Sequence, residues 1–144
     1  MTKFSIIIPC RDEEDNVKIV LKNIQDNCSY SDYEVIFIND FSTDKTEEIL
    51  KKISNDFENV FYYNNSTKGL GGTIQLGFKQ SKGKYISWLS HDDLYHRDKL
   101  KKQMNVLKNN SIKICFSNFF LINSKKKVIK KININNSVFE PRHF

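Results

Sequence analysis

FSIIIPCRDEE, residues 4–14, joins an apolar run to a cluster of carboxylates through Pro9. Phe4–Pro9 shows no polar/apolar alternation and is too short for an ordinary helix, so it reads as a strand buried on both faces. Downstream, Val17, Val20, Leu21 and Ile24 recur at helical spacing, and an amphipathic helix is expected from Glu13 to about Asn27. Tyr33–Asn39 (YEVIFIN) repeats the first pattern and reads as a second buried strand. Ser42-Thr43-Asp44, with Glu47 three residues after Asp44, then suggests a capping box for a helix whose apolar face is Ile49, Leu50 and Ile53.

The alternation continues. A third strand is expected at Val60–Tyr63, followed by the glycine-rich Lys68–Gly72. A helix over 72–81 is expected to turn Ile74 and Phe78 inward and to stop at Gly83. Tyr85–Leu89 reads as a fourth strand, Leu100, Met104 and Leu107 mark another helix, and Ile112–Phe116 reads as a further strand. Phe119–Ile122 and Val128–Ile134 form an expected hairpin, and Phe116, Phe119 and Phe120 are assigned to the core. Strands alternating with helices imply right-handed βαβ units and a mostly parallel sheet. Ligands bind such a sheet beyond the carboxyl ends of its strands, so the informative loops follow Pro9, Ile38 and Leu89.

Composition bounds the function. With 144 residues, 39% hydrophobic, eleven Phe and six Tyr, a packed globule is expected rather than disorder. No stretch approaches the roughly 18 apolar residues of a membrane span. Met1–Lys3 leads straight into the first strand, so no secretory leader is read and a cytoplasmic, soluble chain is expected. Cys10, Cys28 and Cys115 are odd in number and never spaced as CxxC, which argues against a disulfide framework and a zinc site. Net charge is +6, unevenly spread: residues 1–96 hold 11 Lys and Arg against 15 Asp and Glu, residues 97–144 hold 12 against 2. The acidic first two-thirds weigh against nucleic-acid binding.

All three informative loops are acidic: Arg11-Asp12-Glu13-Glu14, Asn39-Asp40 through Asp44, and Ser90-His91-Asp92-Asp93. Clustered carboxylates repel one another, and a divalent cation relieves the repulsion. Paired Asp92 and Asp93 suit Mg²⁺ or Mn²⁺ bridging a diphosphate, where positive charge would stabilise a departing nucleoside diphosphate. His91 is a further candidate ligand because imidazole suits Mn or Zn. Lys68, in a loop where glycines let backbone N–H groups approach an anion, is a candidate phosphate contact. The plainer alternatives are that Asp92 and Asp93 are turn residues and that Glu13 favours a helix N-terminus.

SIIIPCRDEE, IFINDFSTD and KGLGGTIQLGFKQSKGKYISWLSHDD, in this order and spacing across about residues 4–107, resemble the inverting glycosyltransferase family 2. The resemblance implies an α/β GT-A (Rossmann-like) fold, a mostly parallel sheet flanked by helices with a C-terminal β-hairpin. It assigns residues 1–110 to a nucleotide-sugar-binding subdomain and 111–144 to the start of a truncated acceptor-side subdomain. Carried over, Pro9, Arg11 and Glu13 line the nucleoside pocket, Asp40 accepts a base N–H, and Asp92 and Asp93 sit at the diphosphate and metal. The implied reaction moves a sugar, with inversion, from a UDP-sugar to the hydroxyl of a saccharide or lipid-linked acceptor. Asn39 stands in place of the first Asp of the family's Asp-Asp pair, Phe41 in place of its Gly, and Ser90 in place of an Asp of its metal signature.

After Asp93 the only carboxylates are Asp98, at an expected helix start, and Glu140, the remaining candidate general base. That shortage leaves a non-catalytic nucleotide-sugar-binding module as one alternative; a nucleotidyltransferase is another, though it would want a glycine-rich basic signature after strand one. Lys125–Lys131, with lysines at 125–127, 130 and 131, reads as an edge-protecting charge run or as a contact for anionic lipid head groups on the cytoplasmic membrane face.

Overall fold

The computed structural model describes residues 4–28, 32–108 and 114–134. The chain divides into two compact units, 1–99 and 100–144.

The first unit follows the order β1 (Phe4–Cys10), α1 (Val17–Asn27), β2 (Tyr33–Asn39), α2 (Thr46–Asp56), β3 (Val60–Asn64), α3 (Leu70–Gln80), β4 (Tyr85–Trp88). Its four strands form one sheet in the order β3-β2-β1-β4, and every pair is parallel. The continuous apolar runs explain the layout. All seven residues of β1 and six of seven in β2 are buried, so these strands occupy the centre. β4 alternates half-buried Tyr85 and Ser87 with exposed Ile86 and Trp88, the pattern of an edge. Ile7, Ile36 and Ile38 form a core cluster packed by Tyr63 and Leu76, while Val17, Val20, Leu21 and Ile24 supply the buried stripe of α1.

Four local expectations are corrected. The first concerns α1, which starts at Val17 rather than Glu13. Asp12 adopts φ 54°, and the N–H groups of Glu13 and Glu14 donate to Thr46 Oγ1 (2.7 Å) and Asp44 Oδ2 (3.1 Å), which hold the chain in a loop. The capping box does not close either. Asp44 Oδ1 accepts the Thr46 N–H at 2.9 Å, but Glu47 turns to the Asn64 side chain at 2.8 Å.

On α3 the buried residues are Thr73 and Gly77, while Ile74 is half-buried and Phe78 is 52% exposed. A Cβ on Gly77 would lie 2.4 Å from Ile7 Cγ2, so the missing side chain lets the helix approach the sheet. Finally, Gly83 does not stop α3, which ends at Gln80. A Cβ there would meet the Ser5 nitrogen at 2.5 Å. Its own N–H donates to Ser5 Oγ (2.8 Å), which donates to buried Glu34 (2.5 Å), and Glu34 also accepts the Lys82 N–H (2.6 Å).

In the second unit, α4 (Lys99–Leu107) carries buried Leu100 and Met104, and Gln103 Nε2 donates to the Cys115 carbonyl at 3.2 Å. The expected hairpin forms from β5 (Phe119–Ile122) and β6 (Val128–Ile132), paired antiparallel from Phe119↔Ile132 to Ile122↔Val128. Asn123 Oδ1 shapes its turn by accepting from the N–H groups of Lys125 and Lys127, each at 3.0 Å. Of the strand expected at 112–116, residues 112 and 113 lie outside the described residues and 114–116 are not strand. Among the described residues Phe116, Phe119 and Phe120 are exposed rather than core, as a two-stranded ribbon buries little apolar surface by itself. Among the described residues no helix is long and apolar enough to cross a membrane.

Candidate functional site

The sheet's topology selects one edge. The chain runs outward from β1 to β2 and β3, then returns to place β4 on the other side of β1. Loops leaving adjacent strands in opposite directions open a crevice at their carboxyl ends, here between β1 and β4.

Two sets of contacts tie the loops together at that edge. The first zips the loop after β1 to the loop after β2. Asp12 Oδ1 accepts from the Thr43 N–H (2.7 Å) and hydroxyl (3.1 Å), and the Asp12 N–H donates to Ser42 Oγ (3.1 Å). Glu14 Oε2 accepts the Lys45 N–H at 3.0 Å, and the Asp40 N–H donates to the Cys10 carbonyl at 2.8 Å. Hydrogen bonds from Thr43 hold the Asp12 carboxyl below the usual carboxylate range. At Asp44 partial desolvation pushes upward, but bonds from Thr46 and Glu14 bring the carboxyl below its ordinary value. Asp12, Glu14 and Asp44 therefore serve the loops' own backbone.

The second set bridges β1 and β4. His91 Nε2 lies 2.8 Å from Glu13 Oε1 and His91 Nδ1 lies 3.3 Å from the Pro9 carbonyl. Each ring nitrogen faces an oxygen acceptor. Asp92 Oδ1 stands 4.0 Å from the same Nε2, and the Asp93 N–H donates to the Ser90 carbonyl at 3.2 Å. Burial, then the neighbouring Asp92 charge, pushes the Asp93 carboxyl up, with His91 partly opposing. Burial and the charge of Glu13 also push the Cys10 thiol far up, so this thiol stays protonated and unreactive.

A cleft of about 550 Å³ opens at the carboxyl ends of β2 and β3, lined by Arg11, Asn39, Phe41, Ser42, Thr43, Glu47, Asn64, Asn65 and Lys68. Asn39 Nδ2 donates to Asn64 Oδ1 (2.9 Å), and buried Asn65 donates to Asp40 Oδ1 (2.9 Å). The Asp40 carboxylate also accepts the Gly69 N–H, at 3.1 and 3.0 Å to its two oxygens. Gly69 has φ 111°, which an L side chain would resist, and it leads into α3.

Of the residues singled out from sequence, Pro9, Glu13, His91 and Asp92 come together at the β1–β4 crevice, with Asp93 next to Asp92. Arg11 and Lys68 share the neighbouring cleft, and Asp40 is bonded to the cleft residue Asn65. Glu140 lies outside the described residues. Asn64, Asn65 and Phe41 were missed as candidates; Asn64 ends β3 and Asn65 follows it, as Asn39 ends β2 and Asp40 follows it, and that position was the available signal. Among the described residues no three His, Cys, Asp or Glu side chains converge to hold a metal.

Glycosyl transferase family 2 matches residues 5–143. The chain belongs to that family. As a member of glycosyl transferase family 2 it has the GT-A architecture, with its parallel sheet and separate hairpin. An uncharacterized glycosyltransferase of Rickettsia typhi is 37% identical over 99 residues, 67% of this chain and 30% of that protein. The Escherichia coli UDP-Glc:alpha-D-GlcNAc-diphosphoundecaprenol beta-1,3-glucosyltransferase WfaP is 29% identical over 121 residues, 84% of this chain and 47% of that protein. Staphylococcus aureus TarS 1-349, solved also with UDP-GlcNAc and with UDP, superposes with a TM-score of 0.66 at 25% identity. The match covers 76% of this chain and 33% of TarS 1-349. The chain thus spans less than half the length of each of these relatives.

Proposed function

We propose that this chain holds the nucleoside diphosphate of a UDP-sugar, and that the protein transfers the sugar, with inversion, to an acceptor hydroxyl. The observation that carries this reading is the Glu13–His91 contact of 2.8 Å, which joins the β1 loop to the Asp92-Asp93 loop at the topological switch point. Family membership and the TarS complexes with UDP and UDP-GlcNAc support the donor class.

In this reading the Pro9–Glu13 segment and Arg11 line the nucleoside, and Asp40 accepts a base N–H. A carboxylate offers about four lone-pair sites, and the bonds from Asn65 and Gly69 leave capacity for one more donor. Lys68 faces the diphosphate from the cleft's rim.

Asp92 and Asp93 fit a divalent cation: two adjacent carboxylates, one with its proton affinity raised, repel until a cation or a proton intervenes. Two protein carboxylates completed by substrate phosphate oxygens are the preferred Mg²⁺ or Mn²⁺ donor set. When bound, the metal would offset charge on the departing diphosphate. His91, with both nitrogens turned to the β1 loop, serves as a tie between loops rather than a ligand.

Residues 1–110 form the donor side and 111–144 begin the acceptor side. The WfaP name, with its lipid-diphosphate-linked acceptor, supports a saccharide or lipid-linked acceptor for this protein too. Exposed Val128 and Ile129 beside Lys125–Lys127, Lys130 and Lys131 favour contact with anionic head groups at the cytoplasmic membrane face.

Calorimetry of the chain with a panel of nucleoside diphosphates and Mn²⁺ tests the proposal. UDP is expected to bind, and Asp92→Asn and Asp93→Asn to weaken it by about tenfold or more each, on the scale of a lost charged contact. Equal, metal-independent heats for every nucleotide would contradict it.

A further inference from the structure

Phe41 combines three features that packing does not explain. It stands where the family pattern has Gly, directly after Asp40 and before Ser42. Its backbone is left-handed, φ 58°, a conformation that a bulky L residue adopts only against a steric penalty. The residue is 47% exposed, so burial returns little of that penalty. Asp12, also left-handed at φ 54°, differs in being polar and bonded to Thr43. Outliers of this kind cluster at ligand sites, where surrounding structure imposes them. The surroundings here are specific: the Ser42 N–H donates to Asn39 Oδ1 at 3.3 Å and the Asp40 N–H to Cys10 O at 2.8 Å, fixing the chain on both sides of Phe41.

Phe41 lines the 550 Å³ cleft together with Arg11 and Lys68. An exposed aromatic ring next to a carboxylate that can accept an edge N–H is what a planar heterocycle requires: one group for its π-face, one for its edge. Lys68 on the same cleft supplies positive charge of the kind a diphosphate requires. We propose that Phe41 is a specificity-determining residue whose ring stacks on the nucleobase of the donor while Asp40 reads the base edge. The inference deepens the UDP-sugar reading and rests on it. It makes base recognition in this chain depend on a side chain that a glycine at the same position does not have.

The test compares UDP with inorganic pyrophosphate, each with Mn²⁺, by calorimetry on the full 144-residue chain. Phe41→Asn removes the ring but keeps a residue that tolerates φ above zero, so thermal stability should be equal to or above that of the original chain. UDP affinity should fall about tenfold in Phe41→Asn, with pyrophosphate affinity unchanged and UDP affinity restored in Phe41→Tyr. UDP affinity within twofold of the original in Phe41→Asn would overturn the stacking role while leaving the donor site intact. Parallel losses for UDP and pyrophosphate would also overturn it, because Phe41 would then only shape the loop. If the unmodified chain binds neither UDP nor any other nucleoside diphosphate, the donor-site reading fails and this inference with it.

Discussion

Glu13 and His91 carry the heaviest assignment at the scale of single residues. Their side chains are 13% and 34% exposed and 2.8 Å apart, so solvent screens this contact less than it would an exposed surface pair. If His91 acts by holding Glu13 and the Pro9 carbonyl, substitutions at the two positions should not add. His91→Ala and Glu13→Gln are each expected to weaken UDP about tenfold, and the double variant little more, a coupling on the order of 1 kcal/mol. Additive losses in the calorimetric cycle would show that the two residues work independently.

Asp12 permits a second test. Its carboxyl is held below the usual range by bonds from Thr43, so ionised Asp12 stabilises the folded loops. For a depressed carboxylate that contribution is present above the unfolded-state value and is lost as pH falls through the lower folded-state value. Asp12→Asn keeps a residue that accepts φ 54° but removes the charge. Urea denaturation should show the original chain more stable at pH 7 and the difference shrinking as pH drops below about 4. A difference independent of pH would assign the effect to geometry alone.

Among the elements, α3 shows what hydrophobic periodicity reads and what it misses. Apolar spacing pointed to Ile74 and Phe78, but the buried contacts fall on Thr73 and Gly77. A helix packed closely on a sheet is marked by a missing side chain, which carries no hydrophobic signal. The consequence is measurable along the same helix. Gly77→Ala drives a methyl to 2.4 Å from Ile7 Cγ2 and is expected to cost roughly 1–3 kcal/mol in urea denaturation. Gly71→Ala, where a Cβ meets nothing within 4 Å, should stabilise by about 0.5–1 kcal/mol through helix propensity. The reverse ordering would mean that α3 does not pack as described.

Strands β1 and β2 were legible because runs such as FSIIIP and YEVIFIN leave no other reading in an α/β chain. Helix starts were less so: α1 is delayed by bonds from Glu13 to Thr46 and from Glu14 to Asp44, 33 and 30 residues away in sequence. The hairpin was legible from the short runs Phe119–Ile122 and Val128–Ile134, whereas the exposure of Phe119 and Phe120 was not, because apolar residues alone do not say whether they are covered.

At the scale of the whole molecule, the parallel pairing of the strands was legible as a class, and with it the edge where chemistry collects, whereas their order β3-β2-β1-β4 came only from the structure. The division of labour among the carboxylates was not legible either. Asp12, Glu14 and Asp44 look the same in sequence as Glu13 and Asp40, yet the first three tie the β1 and β2 loops to each other and to α2, whereas Glu13 meets His91 and Asp40 accepts from Asn65 and Gly69, and only assembled loops separate the sets. Asn64 and Asn65 were overlooked for the opposite reason, since uncharged side chains after a strand resemble an ordinary turn.

Amide chemical-shift mapping of the chain during titration with UDP and diamagnetic Mg²⁺ tests most directly whether these loops form one nucleotide site. The account predicts that shifts concentrate at residues 11–14, 40–43, 68–69 and 90–93, at the carboxyl ends of the strands. Shifts confined to the α1–α2 groove around Leu21, Ile53 and Phe57, or absent at saturating UDP, would contradict it.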